Sequence, residues 1–299
     1  TQLWNGSIDE VMIFNRSLSA EQILALYNLR MDLIVSQETT RSQNWSAQVT
    51  PNDGQEDGAP VLSNGVLILN TPPGAPVLLQ PPDGNITINR TPEFSWNNSL
   101  DNDPDTLAYR LEIDNNIAFN NLEVNVSNIA NTTSTNTTFR IATELAVDTT
   151  YFWRVFAFDG NELGTNSTVR NFTIQSYLAI TITDSIVAFG TLSRGANVTT
   201  PADASPFKAE NSGNIVANVT ITGTALFPGT VGFPSPFYQF RIRANETGAF
   251  SALTNTNNWN QTNTTSVGPQ VVNLNWQSNQ NDFIADLNIS VPGNESAGL

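Results

Sequence analysis

Short stretches of alternating apolar and polar residues recur along the chain, separated by clusters of Gly, Pro, Asn, Asp and Ser. Residues 109–113 alternate strictly, and every second residue of 151–157 and of 215–221 is apolar. A period of two places successive side chains on opposite faces of a β-strand, so these stretches predict half-buried strands. Helical signals are confined to a short segment after Ser19, an expected N-cap with Gln22 three residues later. The pattern predicts an all-β chain of tandem sandwiches, with one short helix near its N-terminus.

The composition excludes several classes of function. The 299 residues include no cysteine and no histidine, and the formal net charge is -15. Disulfide scaffolds, Cys/His zinc sites and catalytic centres with a histidine base therefore lack their essential residues. A nucleic-acid partner is not expected, because phosphate binding needs basic clusters and Lys208 is the sole lysine. We expect no enzymatic activity, since none of the 27 acidic residues belongs to a catalytic motif.

Polarity comes mainly from uncharged residues, among which Asn-x-Ser/Thr sequons are frequent. The chain holds 39 Asn and 57 Ser plus Thr, and chance pairing would give 39 × 57/299, or about 7 sequons. The sequence instead contains 18 of these acceptors for N-linked glycans. They are Asn5, Asn15, Asn44, Asn85, Asn89, Asn97, Asn125, Asn131, Asn136, Asn166, Asn171, Asn197, Asn218, Asn245, Asn260, Asn263, Asn288 and Asn294.

The alternation places sequons at the surface of the predicted strands. In 171–173, 218–220 and 288–290 the middle residue is apolar, so the Asn and the hydroxyl share one face and the hydrophobe takes the other. Alternation of Asn and Thr on polar strand faces would explain part of the excess without glycans. The excess predicts an exported, N-glycosylated chain. Export without cysteine favours a prokaryotic cell surface, and dense N-glycosylation among prokaryotes favours archaea.

The N-terminal residues 4–28 resemble the end of a laminin-G or concanavalin-like domain. The resemblance rests on the stretch WNGSIDEVMIFNRSLSAEQILALYN, in which a strand is expected over 8–14 and the capped helix follows it. The resemblance assigns residues 1–30 to the C-terminal tail of such a domain. It implies that carbohydrate would be bound by an upstream domain, and that Asp9 and Glu10 are structural.

The middle of the chain holds two segments. Residues 31–70 carry three expected strands, near 33–37, 45–49 and 61–69, and resemble short Ig-like segments of archaeal surface proteins; forty residues need a neighbour to complete a core. A proline-rich connector opens the module at 71–175. Its phrase from Leu145 to Ala157, LAVDTTYFWRVFA, resembles a fibronectin type III domain. That resemblance implies a corner tyrosine at Tyr151 and core aromatics at Trp96 and Trp153.

Residues 176–299 resemble the Ig-like beads of bacterial and archaeal surface proteins. The resemblance rests on three stretches of sequence: VAFGTLSRG from Val187, PFKAENSGN from Pro206 and LNISVP from Leu287. In that family another strand follows the last of these phrases, so we expect a bead lacking its last strand. An unpaired edge left in this way predicts that a strand of a neighbouring chain pairs with it.

The densest acidic cluster is a candidate calcium site. Asp101, Asp103 and Asp105 lie close together, and Asp159 follows a predicted strand that ends near the same pole of the module. Calcium takes six to eight oxygen ligands, several of which a short acidic loop supplies. The alternative is an ordinary solvated turn, because Asp, Asn and Pro are turn formers.

Phe152, Phe156 and Phe158 share the face opposite Trp153 and form a candidate interface. An outward apolar stripe suits a neighbouring module or subunit. Cover by a loop or an adjacent strand is the alternative.

These features together predict a structural component of a glycosylated cell-surface assembly, such as a filament, a stalk or an S-layer-like coat. Its partners would be copies of itself or other surface subunits. The alternative is the stalk of an adhesin whose concanavalin-like domain binds carbohydrate. No cofactor is expected beyond the candidate Ca²⁺ and covalent N-glycans, and no run of apolar residues suits direct membrane insertion.

Overall fold

The structure is a computed structural model that describes residues 11–30, 33–35, 38–103, 105–133, 135–200, 206–224, 226, 235–253, 259–262 and 268–294. One helix, α1 (Ala20–Tyr27), precedes a series of β-strands in this part of the chain. The prediction of an all-β fold built from tandem sandwiches is confirmed.

Helix α1 begins as its sequence predicts. The Ser19 hydroxyl accepts a hydrogen bond from the Gln22 amide at 3.1 Å, and the Gln22 side chain accepts one from the Ser19 amide at 2.8 Å. This capping box satisfies two amides that the first turn leaves without helical partners. The strand expected over 8–14 is not found at its described end. Residues 11–14 are not in a strand, and Ile13 is 92% exposed.

Residues 42–68 form one two-stranded antiparallel ribbon. Its ladder pairs β1 (Asn44–Trp45) with β4 (Val66–Leu67) and β2 (Gln48–Val49) with β3 (Val61–Leu62). The Asn52–Asp57 bridge closes the tip. Strands are thus present near 45–49 and 61–69, as expected. Within the described residues, 33–35 are not in a strand and these ribbon strands pair only with one another, so the second sheet of an Ig-like sandwich is not found there.

Residues 77–174 fold as a sandwich of two sheets. The sheets contain β5 (Val77–Gln80), β6 (Asn85–Thr87), β7 (Glu93–Asn97), β8 (Ala108–Asp114), β9 (Val124–Ala130), β10 (Asn136–Arg140), β11 (Thr149–Phe158) and β12 (Arg170–Ile174). The smaller sheet has the order β10-β7-β5 and the larger one β6-β12-β11-β8-β9. This three-plus-four arrangement, with β6 added at one edge, fits the fibronectin type III resemblance of the sequence from Leu145 to Ala157.

The aromatic core of this sandwich matches its sequence prediction. Trp96 and Trp153 are fully buried, and the Phe94 and Trp153 rings pack edge to face with centroids 4.9 Å apart. Tyr151 is buried, and its hydroxyl accepts a hydrogen bond from the Ala146 amide at 2.9 Å. This is the tyrosine corner that the resemblance implied.

The bead from residue 177 onward is a second, less regular sandwich. One sheet has the order β13-β15-β21-β17-β19, with β14 also paired to β21, and the other has the order β16-β20-β18. The strands are β13 (Ile180–Asp184), β14 (Asn197–Thr199), β15 (Phe207–Asn211), β16 (Ala217–Val219), β17 (Ser235–Ala244), β18 (Ala252–Leu253), β19 (Asn260–Thr262), β20 (Val271–Leu274) and β21 (Asp282–Ser290).

The free edges of the bead differ from the expected one. Strand β21 is interior, with β17 on one side and β14 and β15 on the other. The final strand therefore leaves no unpaired edge beside itself. Within the described residues, β13 and β19 border one sheet, and β16 and β18 border the other.

Opposite ends of the fibronectin-type sandwich carry its two neighbours. The ribbon is held at the end where β11 finishes, because Asn70 donates to the Asp159 carboxylate at 2.8 Å. The bead is held where β11 begins, because Asn214 donates to the carbonyls of Ile88 and Gln175, both at 2.8 Å. Ten residues of β11 separate these ends by about 30 Å.

In the part of the chain that is described, no helix has the length and apolar character needed to cross a membrane.

Candidate functional site

The fold brings three of the four candidate calcium ligands together. Asp101, Asp105 and Asp159 each offer one carboxylate oxygen, and these oxygens lie within 4.8 Å of one another. Two ligands of one Ca²⁺ lie at most about 5 Å apart, since each bond is about 2.3–2.6 Å. The three carboxylates therefore suit a single ion. Asp103 turns away and accepts a hydrogen bond from the Thr71 amide at 2.8 Å.

Two residues distant in sequence complete this acidic pole. Arg41 donates to Asp105 at 2.5 Å and to the Asn70 side-chain oxygen at 2.7 Å, and Asn70 donates to Asp159. Nothing in the local sequence pattern marks Arg41 or Asn70, because their partners lie 64 and 89 residues further along. The guanidinium already supplies one positive charge to the three carboxylates.

The environments of the acidic side chains differ. Burial would raise the pKa of Asp159, but hydrogen bonds from the Glu162 amide, the Asn70 side chain and the Asn161 amide hold that pKa below its ordinary value. Asp159 is therefore a carboxylate at neutral pH. One oxygen of Asp101, Oδ2, is buried and has no hydrogen-bond partner. An unpartnered carboxylate oxygen beside two further carboxylates fits a cation ligand.

The three phenylalanines do not form the open apolar stripe expected of them. Phe152, Phe156 and Phe158 are only half-exposed on the outer face of the larger sheet. Arg154 lies 5.1 Å from the centre of the Phe156 ring, and Arg110 lies 5.7 Å from it. Arg110 of the adjacent strand β8 and Arg154 of β11 cover Phe156, and Arg154 also lies 4.1 Å from the ring of Phe119 in the loop after β8.

Glu112 holds those arginines in place. It is 2% exposed and forms ion pairs with Arg110 and with Arg154, the latter at 2.7 Å. The cross-strand register explains the contact, since Arg154 lies opposite Glu112 and Phe156 opposite Arg110. A buried carboxylate with two guanidinium partners has its charge satisfied, and each guanidinium in turn covers an aromatic ring. This network suits a self-contained outer face.

The sequon asparagines lie at the surface wherever the structure describes them. Asn5 and Asn263 lie outside the described residues, and none of the remaining 16 sequon asparagines is buried. The residues between Asn and hydroxyl behave as predicted. Phe172 is fully buried, Ile289 is 8% exposed, and Val219 packs against the core of the bead.

No family model matches the chain, and no curated protein is similar to it. Among solved structures, it is similar to the FN1–FN3 domains of chicken CNTN1, with 13% identity and a TM-score of 0.28 over 83% of this chain and 70% of that chain. It is also similar to α-L-rhamnosidase from Dictyoglumus thermophilum, with 11% identity and a TM-score of 0.26 over 74% of this chain and 25% of that chain. At these scores neither likeness bears on function.

Proposed function

We propose that this chain is a structural component of an extracellular, N-glycosylated cell-surface assembly of archaeal type: a filament, a stalk or an S-layer-like coat. Its work is mechanical, and it catalyses no reaction. The observation that carries the proposal is the placement of the sequons. None of the described sequon asparagines is buried, while the apolar residues between Asn and hydroxyl in strands β12, β16 and β21 face a core.

The joint between the sandwich and the bead supports a load-bearing role. Asn214 is 4% exposed; it donates to Ile88 and Gln175 and accepts a hydrogen bond from the Tyr177 amide at 2.7 Å. The Arg90 guanidinium lies over the Trp276 ring, 4.7 Å from its centroid. A joint fixed at several separate points resists bending, which a rod or coat subunit needs.

The acidic pole serves the same role at the other joint. One Ca²⁺ held by Asp101, Asp105 and Asp159 would neutralise the pole and connect two loops of the sandwich. Arg41 and Asn70 already join the base of the ribbon to this pole. Metal binding there would stiffen the joint between ribbon and sandwich.

Two measurements test the proposed function. Electron microscopy of native material sheared from cells is expected to show a regular filament or lattice, with side density at sequon asparagines. Intact-mass spectrometry of the same material is expected to exceed the mass of its polypeptide by several glycans. Unassembled chains at the bare polypeptide mass would refute the proposal.

The stalk of an adhesin is the second candidate. Helix α1 leaves Ile23, Leu24 and Tyr27 exposed, Tyr27 by 83%. An apolar face of this kind fits packing against a concanavalin-like sandwich that binds carbohydrate. Isolated flexible rods with a globular tip, in the same electron micrographs, would favour the adhesin.

A further inference from the structure

The ribbon of residues 42–68 exposes more apolar surface than a stable free ribbon carries. Six aliphatic side chains of the ribbon and the residue after it are 56–71% exposed; they are Val49, Val61, Leu62, Val66, Leu67 and Leu69. A two-stranded ribbon is marginal in water without further packing. A partner that covered these side chains would remove their apolar surface from water, which is favourable. The ribbon therefore needs a partner surface.

Glycans would leave the outer part of this surface, Val49, Val61 and Leu62, free, whereas a glycan at Asn44 would stand opposite Leu67. Asn44 lies at the base of the ribbon, and the next sequon is Asn85. Residues 45–84 are the longest stretch of the chain without a sequon. A surface that is both apolar and free of glycan acceptors suits a protein contact.

A complementary surface lies in the bead. The two sheets diverge between β13 and β16, leaving an open groove of about 500 Å³. Its apolar lining is Ile180, Ile182, Phe207, Val219, Ile221 and Phe283. Both bordering strands are sheet edges, and Ile182 is 61% exposed. An added β-strand would pair with a free edge while its side chains fill the groove.

The sequon at Asn218 does not block this groove. Asn218 is exposed, and its neighbours Ala217 and Val219 in β16 take the core side. Alternation therefore directs the Asn218 side chain away from the groove.

The ribbon and the groove belong to opposite ends of the molecule. The ribbon is anchored where β11 finishes and the groove lies in the bead anchored where β11 begins, about 30 Å away. Two complementary surfaces at opposite ends make a heterologous contact, and repetition of such a contact gives an open filament.

We infer that the ribbon of one copy of this chain docks on the β13/β16 groove of the next copy, adding a strand to its edge. This inference rests on the proposed structural function and names the contact that would build the assembly. Under this inference a ribbon strand of one copy pairs at the β13 or β16 edge of the next copy, and not beside β21.

Three matched substitutions test the contact in the 299-residue chain. Leu62→Asp alters the ribbon, Ile182→Asp alters the groove, and Ile117→Asp is the control on the sandwich. The three positions are 64%, 61% and 64% exposed, and each variant gains the same negative charge. Sedimentation velocity at a series of concentrations is expected to show association weakened at least tenfold by Leu62→Asp and by Ile182→Asp, with Ile117→Asp unchanged. Circular dichroism of each variant checks that the fold is intact.

Mixing the two defective variants gives a result that misfolding cannot imitate. The Leu62→Asp variant retains an unaltered groove, and the Ile182→Asp variant retains an unaltered ribbon. The ribbon of the second can therefore dock on the groove of the first, and the mixture is expected to form dimers that do not extend. A loss from Leu62→Asp with no effect of Ile182→Asp would overturn the inference in favour of ribbon-to-ribbon pairing. If the wild-type chain and all three variants form polymers equally, the inferred contact would be overturned and the proposed function would be unaffected. Native material that shows no polymer would instead refute the proposed function.

Discussion

Replacing Asn214 by alanine is expected to loosen the joint between the fibronectin-type sandwich and the bead. The Asn214 side chain makes three hydrogen bonds, at 2.7, 2.8 and 2.8 Å, to the Tyr177 amide and to the carbonyls of Ile88 and Gln175. It is almost completely buried, so water does not readily replace these bonds in the intact joint. Tyr177 begins the bead, Gln175 belongs to the connector and Ile88 to the sandwich itself, so two of the three bonds cross the joint.

The size of the effect follows from the number of bonds. A typical hydrogen bond contributes about 1 kcal/mol net, and leaving a buried partner unsatisfied costs about 1–3 kcal/mol. The two bonds that cross the joint give a coupling free energy of about 2–4 kcal/mol, once partial access of water to the opened joint is allowed. Since each 1.4 kcal/mol is about tenfold, the open joint would become about 30- to 700-fold more populated. The contact of Arg90 with Trp276 remains in the variant and limits the opening.

The chain is well suited to a distance measurement because it contains no cysteine. Leu100→Cys and Ile186→Cys place one spin label on each side of the joint, at positions 86% and 76% exposed. Pulsed electron paramagnetic resonance is expected to give a narrow distance distribution for the labelled chain and a broad one when Asn214→Ala is added.

A matched control separates flexibility of the joint from loss of stability in the bead. Asn281 donates to the Asn211 carbonyl at 3.1 Å within the bead and makes no contact with the sandwich in the described structure. Asn281→Ala is expected to lower the melting temperature of the bead without broadening the distances. An equally narrow distribution for Asn214→Ala would refute the assignment of Asn214 as the fixing point of the joint.

Three further predictions concern the two sandwiches. Burial would raise the pKa of Asp286, but hydrogen bonds from Arg243 and Arg241 hold that pKa below its ordinary value, so the stability that Asp286 contributes is complete above about pH 4 and is lost as the pH falls below it. Acid titration followed by fluorescence is expected to show that Asp286→Asn is less stable at pH 7 and that its stability depends less on pH in acid. Tyr151→Phe removes the acceptor for the Ala146 amide and is expected to cost about 1–3 kcal/mol in urea unfolding, whereas an unchanged midpoint would contradict the tyrosine corner. Calcium is expected to raise the melting temperature and a chelator to reverse the rise, while Asp159→Asn is expected to abolish the response; no difference between calcium and chelator would remove the metal proposal.

The sequence by itself determined the local structure of this protein. Period-two alternation is enough to define strands such as β11 and to assign each side chain to a face, since neighbouring residues fix the pleat. It therefore predicted the buried Trp153, the exposed sequon at Asn171 and the buried Phe172 between that asparagine and its hydroxyl. The capping box at Ser19 was equally readable, because its two hydrogen bonds span three residues.

Tertiary structure decided which distant residues meet. Arg41 reaches Asp105 across 64 residues, and no short-range pattern encodes that pairing. The cover on Phe156 was likewise hidden, because it depends on the register that sets Arg110 opposite it. Alternation shows that a side chain points outward, but it does not show what lies above it.

The same limit explains the misplaced free edge. The sequence identified strand β21 near Leu287, yet its neighbours come from three separate parts of the bead, with β14, β15 and β17 all pairing with it. Strand order is set by long-range pairing, which local propensity does not specify. The open groove between β13 and β16 is a consequence of that order, and only the folded chain reveals it.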